Sequence, residues 1–304
     1  MKVAEVSIVI PAYNEAEAVG DTVAAVRKTF DGSGHKFEII VVDDGSTDGT
    51  AGEAEKAGAI VIRHPRNIGY GNAIITGVRH ANYPLIGLTD ADGTYPVEEL
   101  PSMATELEER GLDMLVGARK GRFYQGGLIK SIARLVFRLL SEFTVGRHIP
   151  DINSGLRIIR RDMINRFSPV LCGGFSFTTT VTIIAMLTYH FVDYRNVSYG
   201  SRIGKSKVVY FRDILGAMQI IVMTILIFNP IKLYICYSAL VLLTGAPIIL
   251  LCIFIPKFIS HILIASIFIA VAFILMGMSF MAEQRRSCPQ DMDAFRRKDA
   301  PVSH

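Results

Sequence analysis

Short apolar runs alternate with helical patterns along the first half of the chain. Val6–Ile10 and Phe37–Val42 are almost continuously apolar, which is expected of strands that are buried on both faces. Three more strands are predicted from shorter runs, at 59–62, 85–88 and 114–116. Between the predicted strands, apolar residues recur at helical spacing over residues 15–30, 47–57, 71–80 and 96–110. Strands separated by helices indicate an α/β fold with a mostly parallel sheet.

The loops that follow the strands are the places where such a sheet binds ligands, because the carboxyl ends of parallel strands share one edge. In this chain those loops span residues 11–15, 43–48, 64–71 and 89–94. The candidate chemistry is therefore expected in these four loops.

Residues 126–146 combine a basic face with an apolar face. Lys130, Arg134 and Arg138 are spaced four residues apart. The opposite side is apolar and carries Ile132, Leu135, Val136, Leu139 and Phe143. This pattern predicts a basic amphipathic helix, either at a membrane surface or as an ordinary surface helix that packs on the sheet. A further helix is predicted over 175–191.

Two C-terminal segments are long enough to cross a bilayer, for which a helix needs about 20 apolar residues. Ile231–Ile255 carries one charge, Lys232, and Ile259–Met281 carries none. Basic residues flank the pair, at Arg202, Lys205, Lys207, Arg212, Arg285, Arg286, Arg296, Arg297 and Lys298. By the positive-inside rule this predicts a two-helix transmembrane hairpin with both termini and the α/β domain on the cytoplasmic side. The alternative is two buried helices of a soluble core.

Composition supports this division of the chain. Half of the 304 residues are hydrophobic, mean hydropathy is +0.36, and the surplus lies within 214–281. The predicted organisation is a catalytic domain (1–210), an interfacial helix (211–229), the hairpin (230–283) and a basic tail (284–304) of an integral membrane protein.

The net charge of +4 fits a membrane surface or an anionic substrate and is too small to indicate nucleic acid. The four cysteines show no metal-ligand spacing, and the first apolar run is too short for a signal peptide.

Two aspartates follow the fourth predicted strand, in the sequence Thr89-Asp90-Ala91-Asp92. Hard divalent cations such as Mg²⁺ prefer carboxylate and phosphate oxygens together. A metal bound here would join the protein to a diphosphate and offset the charge of a leaving group. Surface loops contain Asp-x-Asp by chance, but its place at the end of a buried strand favours the metal site.

The other three loops each allow a functional and a structural interpretation. In Asp43-Asp44-Gly45-Ser46 the carboxylates can accept hydrogen bonds from a ribose or a base, while Ser46 or Thr47 can cap the next helix. Pro11-Ala12-Tyr13-Asn14-Glu15 taken alone favours turn and cap chemistry. Asn67-Ile68-Gly69-Tyr70-Gly71 can let backbone N–H groups approach a ligand.

In order and spacing, the four segments together resemble the inverting glycosyltransferases of family 2, which have a GT-A fold with a Rossmann-like sheet. The closer likeness is to dolichyl-phosphate mannose synthases and bacterial polyprenyl-phosphate glycosyltransferases, over about residues 5–210. The resemblance implies that Asp90 and Asp92 hold the diphosphate and a Mg²⁺ or Mn²⁺ ion. It implies a nucleotide-sugar site formed by Pro11, Tyr13, Glu15, Asp43, Asp44, Gly69, Asp90, Ala91 and Asp92.

Three further segments extend the resemblance. Val116–Arg119 resembles a strand that ends in a basic residue near the acceptor phosphate, Asp151–Arg157 resembles the DxxSGxR segment, and Arg202–Lys207 the basic GxSK segment. They imply an acceptor-phosphate site formed by Arg119, Arg134, Ser154, Arg202, Ser206 and Lys207. Arg119 and Arg202 join Asp90 and Asp92 as expected catalytic residues, and Asp151 is interpreted as structural rather than as a base.

The chain departs from the family pattern at two positions. Many members follow the two aspartates with Leu-Gln, whereas Gly93-Thr94-Tyr95 stands here, so the resemblance supplies no third metal ligand. The glycine loop also lacks a lysine that is often found in it.

The implied reaction transfers a sugar from a UDP- or GDP-sugar to a polyprenyl phosphate at the cytoplasmic membrane face, with inversion. A lipid phosphate is already anionic, so positioning and charge neutralisation suffice without a general base. Alternatives are a glycosyltransferase for another membrane lipid or lipid-linked sugar, and a non-catalytic membrane scaffold that binds nucleotide sugars. A processive polysaccharide synthase would carry Gln-x-x-Arg-Trp, and this chain has no Trp. The sequence is compatible with a homo-oligomer.

Overall fold

The computed structural model describes residues 3–120, 128–169, 171, 173–174 and 176–200, and a few residues between 266 and 277 (266–267, 269–271, 273–274 and 277). The chain divides into two compact units, Met1–Phe228 and Asn229–His304. Within the part of the chain that is described, no helix is both long and apolar enough to cross a membrane. The predicted interfacial helix, the first predicted span, most of the second and the tail lie outside the described residues.

One seven-stranded sheet forms the centre of the described region. Its strands are β1 (Glu5–Ala12), β2 (Lys36–Asp43), β3 (Ile60–Arg63), β4 (Leu85–Leu88), β5 (Met114–Lys120), β6 (Arg157–Arg160) and β7 (Val192–Ser198). They lie in the order β3-β2-β1-β4-β6-β5-β7. Neighbouring strands are parallel, except that β6 is antiparallel to β4 and β5. The predicted mostly parallel α/β sheet is thereby confirmed.

Among the residues described up to 200, seven helices connect and cover these strands. They are α1 (Val19–Asp31), α2 (Thr50–Lys56), α3 (Tyr70–His80), α4 (Leu100–Arg110), α5 (Leu128–Val145), α6 (Arg161–Phe167) and α7 (Phe177–Leu187), with a 3-10 turn at Val97–Glu99 before α4. α1 and α4 contribute Val23, Phe30 and Leu107 to the main core, which also contains residues of β1 and β2. Because helices cover both faces of the central strands, Ile8, Ile10 and Val41 are fully buried and the strands read as continuous apolar runs.

Several element boundaries differ from the predicted ones. α1 begins at Val19 rather than at residue 15, because the carbonyl of Glu15 accepts hydrogen bonds from both Ala18 and Val19 in a turn before the helix. β5 continues to Lys120, four residues beyond the predicted end at 116, because β7 pairs with it along its whole length. The helix predicted over 175–191 is shorter, and β7 follows it.

Candidate active site

The loops that follow β1 and β2 lie side by side at the carboxyl edge of the sheet. Ala12 and Asp43 are register partners at the ends of the two parallel strands, and the amide of Asp44 donates to the Ala12 carbonyl at 2.8 Å. This register brings the residues predicted to bind the nucleoside, Pro11, Tyr13 and Glu15 on one strand end and Asp43 on the next, to one place. Both loops thus lie at the edge of the sheet where the sequence leads us to expect the candidate chemistry.

Hydrogen bonds between side chains and amides join these two loops. Asn14 has a positive φ of 51°, which asparagine tolerates better than most residues. Its amide donates to Ser46 Oγ at 2.9 Å and its Oδ1 accepts from the Thr47 amide at 2.8 Å. Neither Ser46 nor Thr47 caps α2, which begins after Gly49 without a side-chain cap. The capping interpretation of these residues was wrong, because their polar groups hold the neighbouring loop instead.

Asp43 and Asp44 are both buried, but they have different surroundings. Asp43 Oδ1 accepts from the Ser46 amide at 2.9 Å, and Oδ2 lies 3.4 Å from Nε of the exposed Arg63. Asp44 accepts three hydrogen bonds, from His64 Nδ1 at 2.7 Å, from the Ile68 amide at 3.0 Å and from the Gly69 amide at 2.8 Å. Asp44 thus anchors the glycine loop, a role that the sequence did not indicate.

The glycine loop binds the rest of the protein through its amides. Ile68 and Gly69 donate to Asp44. In the first turn of α3, Gly71 donates to the Gly174 carbonyl at 3.2 Å and Asn72 to the Gly173 carbonyl at 2.8 Å. The expectation that this loop offers such N–H groups to a ligand is not met at these four amides, because each has a protein acceptor. Gly69, with φ of +107°, stays a predicted contact of the sugar nucleotide.

The Asp90-Ala91-Asp92 segment follows β4, next to the glycine loop. Tyr70, the first residue of α3, donates its hydroxyl to Asp90 Oδ1 at 2.9 Å. Asp92 Oδ1 accepts from the Thr94 hydroxyl at 2.6 Å and from the Thr94 amide at 3.2 Å. The Ala91 carbonyl accepts from Thr22 of α1 at 3.1 Å. Each carboxylate is thus oriented by a hydrogen bond to one of its oxygens.

The DxxSGxR segment packs directly on the carboxylate of Asp90. A Cβ at Gly155 would lie 2.8 Å and 2.9 Å from the two carboxylate oxygens of Asp90. A side chain at this position would displace the carboxylate of Asp90, so the close approach favours glycine. The Gly155 amide donates to the Tyr95 hydroxyl at 2.7 Å, which ties the segment to the loop after Asp92.

Arg119, at the end of β5, is held by Asp151. Nε donates to Asp151 Oδ2 at 2.7 Å and Nη2 to Oδ1 at 2.9 Å, the bidentate geometry of strong Arg–carboxylate pairs. The side chains are 15% and 3% exposed, respectively, and the guanidinium lies 5.4 Å from the ring centre of Tyr199. This agrees with the structural interpretation of Asp151. Tyr199 in turn contacts Tyr95 edge to face at 5.2 Å between centroids.

Ser154 does not lie where a phosphate can reach it. Its side chain is fully buried and its hydroxyl donates to the Gly117 carbonyl at 2.5 Å. The predicted role in binding the acceptor phosphate is therefore wrong for this side chain, because the hydroxyl joins the 151–156 loop to β5.

The other predicted acceptor residues are only partly described. Arg134 lies in α5, and its side chain is outside the description, as are Arg202, Ser206 and Lys207. The described stretch 176–200 ends near the loop that holds Asp92, since the Gly200 amide donates to the Thr94 carbonyl at 2.9 Å. Arg202 follows two residues later.

The sequence of the chain matches the model of glycosyl transferase family 2 over residues 7–167, which is more than half of the chain. The chain belongs to glycosyl transferase family 2. The matched region includes all four loops at the carboxyl edge of the sheet.

Two curated relatives of this family 2 glycosyltransferase match its N-terminal part. Dodecaprenyl-phosphate galacturonate synthase of Rhizobium johnstonii is 31% identical over 211 residues, which are 64% of this chain and 62% of the relative. An uncharacterised protein of Methanocaldococcus jannaschii is 35% identical over 159 residues, which are 50% of this chain and 63% of the relative. The chain thus spans somewhat less than two thirds of the length of these relatives.

Solved structures show the same GT-A-like fold as this family 2 glycosyltransferase. Mannosyl-3-phosphoglycerate synthase from Rubrobacter xylanophilus aligns with a TM-score of 0.57 at 21% identity and covers 73% of each chain. Glucosyl-3-phosphoglycerate synthase from Mycobacterium tuberculosis, solved with Mn²⁺, UDP and glucosyl-3-phosphoglycerate, aligns with a TM-score of 0.56 at 20% identity. That alignment covers 73% of this chain and 79% of the other.

The residues of the glycosyltransferase that could hold a metal ion are Asp90 and Asp92. Among the described residues no group of three His, Cys, Asp or Glu side chains could hold an ion by itself. Two carboxylates oriented by hydrogen bonds fit a Mg²⁺ or Mn²⁺ site that is completed by phosphate oxygens and water. The site therefore fits the metal only in combination with a diphosphate ligand.

Sequence reasoning missed three residues that shape the site of this glycosyltransferase. Tyr70 and Tyr95 were not assigned roles, although both contact the carboxylate region. Arg157 is fully buried and donates to the carbonyls of Ser154, Ile152 and Thr178 and to the Thr182 hydroxyl. Burial lowers the pKa of its guanidinium. Only the DxxSGxR motif itself gave a signal for Arg157, and local sequence gave none for the tyrosines.

Proposed function

We propose that this chain transfers a sugar from a nucleoside diphosphate sugar to a polyprenyl phosphate, with Mg²⁺ or Mn²⁺, at the cytoplasmic face of a membrane. The observation that carries the proposal is a site with two sides. On one side hydrogen bonds orient the carboxylates of Asp90 and Asp92, and on the other side Asp151 holds the guanidinium of Arg119. Asp90 is joined to the Arg119 region through Gly155, Tyr95 and Tyr199. A relative named for dodecaprenyl phosphate as acceptor supports the lipid.

The donor would lie across the loops that follow β1, β2 and β4. Pro11, Tyr13, Glu15 and Asp43 would bind the nucleoside, because the register of β1 and β2 places them together. Asp90 and Asp92 would hold the ion beside the diphosphate, and solved neighbours with UDP and Mn²⁺ or Mg²⁺ support this pairing. When bound, the ion offsets the charge of the leaving nucleoside diphosphate.

The acceptor phosphate would approach from the side of Arg119. Its oxygen attacks the anomeric carbon while the bond to the nucleoside diphosphate breaks, which inverts that carbon. No proton has to leave the nucleophile, because the phosphate is anionic. Asp151 is not needed as a base, since its carboxylate is engaged by Arg119. Arg119 and, beyond the described residues, Arg202 and Lys207 would neutralise the phosphates.

The orientation of α5 supports a membrane-facing position. Leu135, Leu139 and Phe143, spaced four residues apart, are 44%, 53% and 46% exposed, whereas Ser141 and Thr144 are buried. The two buried hydroxyls donate to the carbonyls of Phe137 and Leu140 in the same helix. A helix that turns hydroxyls inward and large apolar side chains outward fits an apolar surrounding rather than water. Arg138 on the same helix would suit anionic headgroups.

The test is a transfer assay with the full chain in detergent. Undecaprenyl phosphate is incubated with radiolabelled UDP-glucose, UDP-galacturonate, UDP-N-acetylglucosamine or GDP-mannose, each with Mn²⁺ or Mg²⁺. We expect one donor to yield a lipid-extractable product that mild acid hydrolyses, as expected of a sugar 1-phosphodiester.

Parallel reactions contain 3-phosphoglycerate or diacylglycerol in place of the lipid phosphate. Label only in 3-phosphoglycerate would contradict a lipid acceptor. Label only in diacylglycerol would favour the alternative of a different membrane lipid. Nucleotide-sugar binding without transfer to any acceptor would favour the scaffold.

A further inference from the structure

The side chain of Tyr70 contacts the carboxylate side of the site, which is the side formed by Asp90 and Asp92. It is the first residue of α3 and donates its hydroxyl to Asp90 Oδ1 at 2.9 Å. The sequence points to this loop as a source of backbone N–H groups, but the structure brings a phenol hydroxyl to one of the two expected metal ligands.

The backbone around Tyr70 is fixed on both sides. The two amides before it, from Ile68 and Gly69, donate to the buried Asp44. The two amides after it, from Gly71 and Asn72, donate to the carbonyls of Gly174 and Gly173. Four bonded amides fix the backbone from which the ring projects, and the bond to Asp90 holds the hydroxyl.

Asp90 lies between this hydroxyl and the backbone of Gly155. Gly155 lies so close that a Cβ there would be 2.8 Å from Oδ1 and 2.9 Å from Oδ2. A phenol hydroxyl is a neutral donor at neutral pH, so it orients the carboxylate without cancelling its charge.

We propose that Tyr70 is a positioning residue that fixes the Asp90 carboxylate for the metal and the diphosphate. The inference rests on the proposed function, because it assumes that Asp90 binds a metal together with a nucleoside diphosphate. Partners that hydrogen-bond to metal ligands hold those ligands in place, and their loss typically lowers metal affinity about 10- to 100-fold. Through the amides at Asp44, the same loop would couple the end of β2 to the metal site.

The experiment compares wild type with Tyr70→Phe, which removes the hydroxyl and keeps the ring. Mn²⁺ binding in the presence of UDP is measured by calorimetry, and UDP binding is measured separately in EDTA. We expect the Mn²⁺ dissociation constant to rise about 10- to 100-fold while metal-free UDP binding stays unchanged. In the transfer assay, the Mn²⁺ concentration that gives a half-maximal rate should increase by a larger factor than the factor by which kcat at saturating Mn²⁺ decreases.

Tyr189→Phe is the matched control, since Tyr189 is exposed between α7 and β7, and we expect it to bind Mn²⁺ like wild type. Equal Mn²⁺ affinity in Tyr70→Phe and wild type would overturn the positioning role and leave the proposed function intact. Weaker metal-free UDP binding or a lower unfolding temperature in Tyr70→Phe would also overturn it, in favour of a purely structural tyrosine. If wild type binds no Mn²⁺ with UDP or with GDP, the metal site itself is wrong and both proposals fall.

Discussion

The two sides of the site place their charges in opposite surroundings. On the carboxylate side, Asp90 and Asp92 accept hydrogen bonds from the neutral groups of Tyr70 and Thr94. On the arginine side, Arg119 is paired with the carboxylate of Asp151, and Arg157 is surrounded by carbonyls and a hydroxyl. Neutral donors orient a carboxylate and preserve its charge for a cation, while an ion pair fixes a guanidinium in place. The difference suits a site with a metal on one side and a phosphate on the other.

The largest expected effect comes from removing one charge on the carboxylate side. Asp92→Asn keeps the size of the side chain but loses the anionic ligand, and a metal contributes several kcal/mol to transition-state stabilisation. We expect the rate of sugar transfer to fall about 1000-fold or more, measured as lipid-extractable label at saturating Mn²⁺. Asp31→Asn, at the exposed end of α1, should retain wild-type activity. An Asp92→Asn variant with more than a tenth of the wild-type rate would contradict a metal at this residue.

A smaller loss is expected where the two sides touch. Gly155→Ala places a methyl group against both oxygens of Asp90, and a displacement of about 1 Å at a reacting centre can cost about 100-fold in rate. The control is Gly52→Ala in α2, where nothing lies within 4 Å of the added Cβ. That change should leave activity unchanged and stabilise the helix by about 0.5–1 kcal/mol. Full activity of Gly155→Ala would show that the contact between the two sides does not matter for catalysis.

The smallest expected effect concerns the buried guanidinium on the arginine side. Thr182→Val removes the hydroxyl that accepts from Arg157 Nη1 at 2.7 Å, and a hydrogen bond to a charged group contributes about 1.5–3 kcal/mol. We expect the free energy of unfolding, measured in urea, to fall by about 1.5–3 kcal/mol. Thr180→Val is the control on the same helix, because its hydroxyl bonds to the Ser176 carbonyl. Equal losses in the two variants would argue that Arg157 gains nothing specific from Thr182.

The carboxylate side was largely predictable from the sequence. β1, β2 and β4 are buried on both faces, so each can be recognised in the sequence as an apolar run. The polar loop that follows each strand can then be recognised as well. β4 has the predicted bounds, Leu85–Leu88, and α3 begins one residue before its predicted start. The contacts across these loops were not predictable, because the bond from Tyr70 to Asp90 and the packing of Gly155 on Asp90 join residues far apart in the chain.

The arginine side was harder to predict, for a reason that β6 illustrates. The strand Arg157–Arg160 has only two apolar residues, Ile158 and Ile159, between arginines. Its first arginine is fully buried, so the hydropathy of this central strand resembles that of a polar loop. Ser154 was misassigned for a related reason, since its motif resembles a phosphate site while its hydroxyl is bonded to Gly117.

The metal dependence of transfer to the lipid phosphate tests the proposed function most directly. The full chain is treated with EDTA, and the initial rate of sugar transfer to undecaprenyl phosphate is measured as Mn²⁺ is added back. We expect a rate near background without metal and saturable recovery with Mn²⁺ in wild type, with little recovery in Asp92→Asn. Transfer that proceeds at the full rate in EDTA would contradict the metal site, and the function proposed for Asp90 and Asp92 would have to be abandoned.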